Sequence, residues 1–227
     1  MRTKRMNAAQ MMACVVGLIG LLAGIGCAQT PPMYTTPTLP DDAKEKKILS
    51  VIEEVREHGP RRRQNVPTAD GRFLRVLAES INAQKVVEIG TSNGYSSLWI
   101  SAALVNTGGK LTTFEISHER AEEARANFKK AGVSDIITIV EGDAHENVKE
   151  VEGPIDMLFL DADKRGYIDY LDKLLPKVKP GGLVVAHNMT PRMADPDFLK
   201  AITENPKLET VLVAQPGRGL SITVKKR

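Results

Sequence analysis

Four short runs in this chain are apolar at nearly every position: Leu111–Glu115, Ile136–Glu141, Ile155–Leu160 and Leu183–Ala186. A fifth, Lys85–Ile89, follows a helical pattern directly and reads as a buried strand. A strand apolar on both faces has no solvent side, so it needs cover above and below, as in a parallel sheet between two helical layers. The intervening segments supply that cover. Apolar residues recur at three- and four-residue spacing through Asp42–Glu57 and Ala69–Ile81, and further helices are expected over Tyr95–Leu104, His118–Ala131 and Tyr167–Leu175. In His118–Ala131, Ser117 stands at the N-cap, Ala121, Ala124, Phe128 and Ala131 share one face, and Gly132 is the natural stop. The alternation predicts a doubly wound α/β sheet with right-handed crossovers. After Pro206 the rhythm changes. Leu208–Val213 and Leu220–Lys226 are separated by the turn-rich stretch Gln215–Gly219, which predicts an antiparallel hairpin on the sheet edge.

The 227 residues suit one medium domain with a short appendage. The appendage is legible. Arg2, Lys4 and Arg5 precede an almost wholly apolar stretch, Met11–Ala28, which Thr30, Pro31 and Pro32 end, the order of an export signal or a membrane anchor. Gly26 and Ala28 suit cleavage after Ala28, while Cys27 behind small residues resembles a lipid-attachment site with Gly24 where leucine is usual. Gln29–Pro40, with four prolines and several threonines, reads as an extended linker, and the domain is expected to begin near Asp41. Cys14 and Cys27 are the only cysteines, so the domain has neither a disulfide framework nor a cysteine zinc site. With the three basic residues ahead of the apolar stretch set aside, 28 of the 31 Lys and Arg remain against 28 Asp and Glu. A neutral body lacks the sustained basic face that phosphate backbones require, and Arg61–Arg63 reads as a solvated loop, so no nucleic-acid partner is expected.

In an open α/β sheet, ligands sit beyond the carboxyl ends of the strands where strand order reverses. The first strand ends in Glu88-Ile-Gly-Thr-Ser-Asn-Gly94, a glycine turn that opens a helix and offers free N–H groups to an anion. The dinucleotide fingerprint needs glycine where Ser92 stands, which argues against a nicotinamide-dependent oxidoreductase. The second strand ends in Glu115, suited to accept from two ribose hydroxyls or, alternatively, to begin the next helix.

Five motifs in order carry a more specific signal: Val87-Glu-Ile-Gly-Thr-Ser-Asn-Gly-Tyr-Ser-Ser97, Phe114-Glu115, Glu141-Gly-Asp-Ala144, Phe159-Leu-Asp-Ala-Asp-Lys164 and Lys179-Pro-Gly-Gly182. From about Gln64 to the C-terminus the chain resembles the S-adenosylmethionine-dependent O-methyltransferases of the catechol and caffeoyl-CoA type. The resemblance implies a mostly parallel, seven-stranded Rossmann-like methyltransferase sheet. It implies that Val66 offers its backbone to the methionine carboxylate with help from Ser96, and that Glu88, Gly90, Thr91 and Ser92 form the methionine end. Glu115 would hold the ribose, Asp143 and Ala144 would border the adenine, and Asp161 would serve both the cofactor amine and a divalent metal. Lys164 would be the general base and the acceptor a small phenolic or catechol-like hydroxyl compound. Such parts suit the chemistry, since a phenol with pKa of about 10 is a poor nucleophile until a cation or a base favours its phenolate. A homodimer is a further expectation of the resemblance.

Two departures stand out. Where the family presents aspartate then asparagine as metal ligands, this chain has His187-Asn188. Asp161, His187 and Asn188 can still form a site, with preference moved from magnesium toward manganese, iron, cobalt or zinc. Alternatively the metal is lost and His187 acts as a base or packs. The connection Ala214–Arg218 is also short where the catechol enzymes carry residues that border the substrate. Of the remaining residues, Trp99 is expected in the core or against adenine, His145 beside the cofactor, His118 and His58 on the surface, and Asp163 either behind the metal or in solvent.

Basic residues ahead of the apolar stretch favour an exported domain on the periplasmic side, whereas S-adenosylmethionine is made in the cytoplasm. Lys44, Lys46 and Lys47 balance the three leading charges, so an uncleaved anchor with a cytoplasmic-facing domain satisfies the same rule. The alternative from another functional class is a noncatalytic exported lipoprotein or binding module that keeps the methyltransferase scaffold.

Overall fold

The computed structural model describes residues 37–58, 65–190, 192–213 and 219–227. The expectations placed on the apolar stretch and Cys27, on Arg61–Arg63 and on the Ala214–Arg218 connection lie outside the described residues. Leu39–Arg227 forms one compact unit. No helix among the described residues is long and apolar enough to cross a membrane.

The chain runs α1 (Ala43–His58), α2 (Thr68–Ser80), β1 (Lys85–Ile89), α3 (Tyr95–Thr107), β2 (Lys110–Glu115), α4 (His118–Ala131), β3 (Ile137–Glu141), a single turn α5 (Ala144–Asn147), β4 (Ile155–Leu160), α6 (Tyr167–Leu174), β5 (Val178–His187), α7 (Pro196–Thr203), β6 (Leu208–Val213) and β7 (Leu220–Lys225). One seven-stranded sheet has the order β3-β2-β1-β4-β5-β7-β6. From β3 through β2, β1 and β4 to β5 neighbouring strands pair in parallel, and β7 pairs antiparallel with both β5 and β6. The expected doubly wound sheet with a terminal hairpin is therefore present. The returning strand of that hairpin, β7, inserts beside β5 and leaves β6 outermost.

The period-two alternation of each strand divides the core between two helical layers. Val86, Met157, Phe159, Leu183 and Val185 face α1 to α4, whereas Val87, Ile89, Leu158, Leu160, Val184 and Ala186 face α6 and α7. Helix α3 is buried along most of its length, so it has no polar face and lies across the middle of its layer. Trp99 on α3 packs in this core. A Cβ built on Gly71 of α2 would lie 2.2 Å from the indole, so glycine is what lets the two helices meet there.

Local signals explain most boundaries. The Ser117 hydroxyl accepts from Arg120 N, α4 buries Ala121, Ala124, Phe128 and Ala131, and Gly132 ends the helix at φ 75°. Strand β5 and helices α5 and α7 depart from the sequence reading. Strand β5 is longer than Leu183–Ala186 because Lys179-Pro-Gly-Gly182 stays in the sheet through a register shift against β4 between Ile155 and Met157. Helix α7 has no counterpart in the apolar spacing of the sequence. Its Asp195 carboxylate caps the backbone of Asp197 and Phe198, Pro196 opens the first turn, and Phe198 and Ile202 are its buried face.

Candidate active site

The order β3-β2-β1-β4-β5 reverses direction between β1 and β4, and a cavity of about 660 Å³ opens at their carboxyl ends. Val66, Gly90, Thr91, Ser92, Ser96, Glu115, Asp143, Ala144, Asp161, Lys164 and Asn188 all line it. Glu88 and His187 do not reach its wall. They stand immediately behind it, Glu88 bonded to Ser96, and His187 bonded to Asp161 and Asn188.

The β1 to β3 side is built largely from backbone. Gly90 has φ 104°, and a side chain there would place Cβ 2.6 Å from the carbonyl oxygen of Asp161. Only glycine allows the turn to pass so close to the next strand. Ser92 also has positive φ, and its N–H donates to Glu115 Oε2 at 2.7 Å. The other Glu115 oxygen accepts from Ser117 N at 2.9 Å, so one carboxylate joins the first two strand-end turns. Asp143 caps α5 by accepting from His145 N. The His145 ring stacks on Tyr170 with centroids 4.3 Å apart, and its pKa is raised chiefly by the hydrogen bond to Asp169.

Glu88 is wholly buried on the α3 side of β1. It accepts hydroxyl donors from Ser96 at 2.5 Å, from Thr113 at 2.7 Å and from Ser97. Burial pushes its pKa up to about 7, the three hydroxyls pull the other way, and the charge of Asp161 adds to the rise.

The β4 to β5 side is built from side chains. Asp161 Oδ1 accepts from Lys164 Nζ at 3.2 Å and from the Asn188 amide at 3.0 Å, and it lies 3.1 Å from His187 Nδ1. Lys164 Nζ also donates to the Ala162 carbonyl and to Tyr167 Oη, which in turn donates to the Leu160 carbonyl. Burial, then the charges of Asp161 and Asp163, push the Tyr167 pKa well above its ordinary value, so Tyr167 remains a neutral phenol that props the lysine. Behind the ring of His187 stands Asp70, a residue without a sequence motif, with Oδ2 3.2 Å from Nε2. Burial favours the neutral imidazole, yet Asp161 and Asp70 outweigh it and raise the His187 pKa.

The residues at this corner fit a divalent ion. Asp161 Oδ1, His187 Nδ1 and the Asn188 amide nitrogen lie 3.0 to 3.2 Å from one another. Donors about 2.1 Å from one ion and at right angles stand about 3.0 Å apart. Amide nitrogen and oxygen exchange by a half-turn, and Asn188 Oδ1 is buried with no hydrogen-bond partner among the described residues. Asn188 also holds φ 64°, a left-handed backbone that asparagine tolerates and that keeps its amide beside the carboxylate.

Other residues stand where function alone did not require them. Trp99 is in the core and not on the cavity, His118 and His58 are exposed, and Asp163 lines the cavity while accepting from Tyr170 Oη at 2.9 Å. Asn65, Ile116, Arg120 and Met193 also line the cavity, and no sequence motif marks them.

The chain matches the profile of the O-methyltransferase family over residues 40–212. A catechol O-methyltransferase of Niastella koreensis is 37% identical over 129 residues, 55% of this chain and 58% of that protein. Caffeoyl-CoA O-methyltransferase 1 of Eucalyptus globulus is 36% identical over 146 residues, 62% of this chain and 59% of that protein. The chain thus spans less than two thirds of the length of these relatives. Among solved structures, an O-methyltransferase from Bacillus cereus in complex with SAH has a TM-score of 0.67 at 25% identity, covering 83% of this chain and 93% of that one. Profile, order of motifs and sheet topology agree, and the chain belongs to the O-methyltransferase family.

Proposed function

We propose that this protein transfers a methyl group from S-adenosylmethionine to a hydroxyl of a small phenolic or catechol-like acceptor. The observation that carries the reading is the meeting, in one cavity, of the Gly90 turn and Glu115 on one side with Asp161 and Lys164 on the other. In this reading Val66, Ser96 and the turn Gly90-Thr91-Ser92 hold the methionine end, and Glu88 acts from behind by fixing Ser96. Glu115 accepts from the ribose, Asp143 and Ala144 border the adenine, and Asp161 faces the cofactor amine. The reaction breaks the sulfonium S–CH₃ bond, forms an O–CH₃ bond and releases the hydroxyl proton, so alignment of oxygen behind the methyl group supplies much of the rate. Lys164, once in its neutral amine form, takes that proton. Its amine is held against Asp161 by Tyr167 and the Ala162 carbonyl. Asp161, His187 and Asn188 would hold a divalent cation, whose positive charge would favour the acceptor's ionised oxygen.

The test is calorimetric titration of the full chain with S-adenosylmethionine, followed by methyl transfer to catechol with product identified by mass. Tight binding and a methylated product are expected, and absence of cofactor binding overturns the reading. The leading basic residues and the Met11–Ala28 stretch support a further assignment, export or membrane attachment of the domain, which fractionation of expressing cells tests.

A further inference from the structure

Asp70 sits in the first turn of α2, is 1% exposed, and its carboxylate faces His187, itself 2% exposed. Its Oδ2 lies 3.2 Å from His187 Nε2, within ion-pair reach. Neither Asp70 oxygen has any hydrogen-bond partner among the described residues. A buried carboxylate without a hydrogen-bond partner is costly unless the charged or polar group it faces needs it. The group it faces is an imidazole whose other nitrogen points at Asp161 and Asn188, the two other donors of the candidate metal corner.

An imidazole that ligates through one nitrogen commonly donates from the other to a carboxylate, which fixes the tautomer and the ring plane and strengthens the ligand. Here the order along that line is Asp70 carboxylate, His187 ring, cavity. Hard magnesium prefers oxygen donors, whereas imidazole suits cobalt, zinc and other borderline ions. We propose that Asp70 is a positioning residue that holds the Nε2–H tautomer of His187, turns Nδ1 toward Asp161 and Asn188, and so makes the site selective for a transition-metal ion over magnesium. The proposal rests on the ligand assignment made above and not on the acceptor or on methyl transfer.

The experiment is metal titration of the full chain without cofactor. It is run on His118→Ala protein, because the exposed ligand atoms of His118, Glu122 and Glu141 lie within 4.8 Å of one another and offer a competing surface site. Cobalt, followed by calorimetry and by its visible absorption, is expected to bind at least ~100-fold more tightly than magnesium. Asp70→Asn is expected to lower cobalt affinity by about 10- to 100-fold while leaving S-adenosylmethionine affinity within about twofold, with partial recovery in Asp70→Glu. Absence of cobalt binding, equal affinity for magnesium, or unchanged cobalt affinity in Asp70→Asn overturns the proposal. Should Asp70→Asn fail to fold, ¹⁵N-histidine NMR of His118→Ala protein with zinc decides. A metal-shifted Nδ1 beside a protonated Nε2 supports the proposal, and zinc on Nε2 or no shifted ring overturns it. Cofactor calorimetry on the same samples separates this outcome from the methyltransferase reading, which stands or falls on that titration.

Discussion

The two halves of the cavity are made in different ways. At the ends of β1 to β3 the carboxylates of Glu115 and Asp143 are satisfied by backbone N–H groups of neighbouring turns. At the ends of β4 and β5, Asp161 is met by the side chains of Lys164, His187 and Asn188, and those lean in turn on Tyr167 and Asp70. Backbone donors come with the fold and tolerate many side chains. A web of side chains is more easily altered one residue at a time. In the function proposed above, the first half would hold most of the cofactor, and the second carries the general base and the candidate metal donors beside Asp161.

The sharpest way to separate the halves is Lys164→Met. Loss of the positioned amine is expected to lower the methyl-transfer rate by about 10²- to 10⁴-fold, with S-adenosylmethionine affinity nearly unchanged, read by steady-state kinetics beside calorimetry. Comparable losses in both would merge the two halves into one.

Next in size is the buried Glu88, which underlies the backbone-built half. Its ordinary pKa of 4.5 is raised to about 7 in the folded protein. Between those values the folded chain holds a proton that the unfolded chain has released. Stability from the neutral carboxyl is therefore complete below about pH 4.5 and is lost as pH rises to about 7, by roughly 3 kcal/mol at about 1.4 kcal/mol per unit. Denaturant unfolding from pH 4.5 to 8 is expected to show this slope in the parent chain and a flatter profile in Glu88→Gln. An identical slope in both would place the proton elsewhere.

Glu115→Ala follows. A charged acceptor shared with the ligand contributes about 1.5–3 kcal/mol, so cofactor affinity is expected to fall by about 10- to 150-fold while cobalt binding at the other half holds. The smallest effect belongs to a residue outside both halves. Asp195→Ala removes the cap of α7 and is expected to cost about 1 kcal/mol in urea unfolding, with cofactor and cobalt affinity unaltered.

The same contrast governs what the sequence disclosed. Strand ends and their glycine turns are local patterns, so β1, β4 and α4 match their expected limits, and Gly90, Glu115, Asp161 and Lys164 meet in one cavity. Helix α7 carried a local signal too, Asp195 followed by Pro196, which the short apolar content of its eight residues obscured. The length of β5 was hidden because proline and two glycines normally end a strand, and only a register shift against β4 keeps them in the sheet. Asp70 is a different case. An aspartate in the first turn of a helix is ordinary at any helix start, and its meaning arises only when the sheet brings α2 against the end of β5.

The crossing of Gly90 and Asp161 carries a last consequence. Asp161 N donates to the Ile89 carbonyl, and the Asp161 carbonyl fills the space where a Gly90 side chain would stand. The spacing of the β1 and β4 turns, which the proposed reaction would use, is thereby fixed by the sheet before any small molecule arrives. Any residue larger than glycine at position 90 would push the β1 turn off the Asp161 carbonyl and widen that spacing.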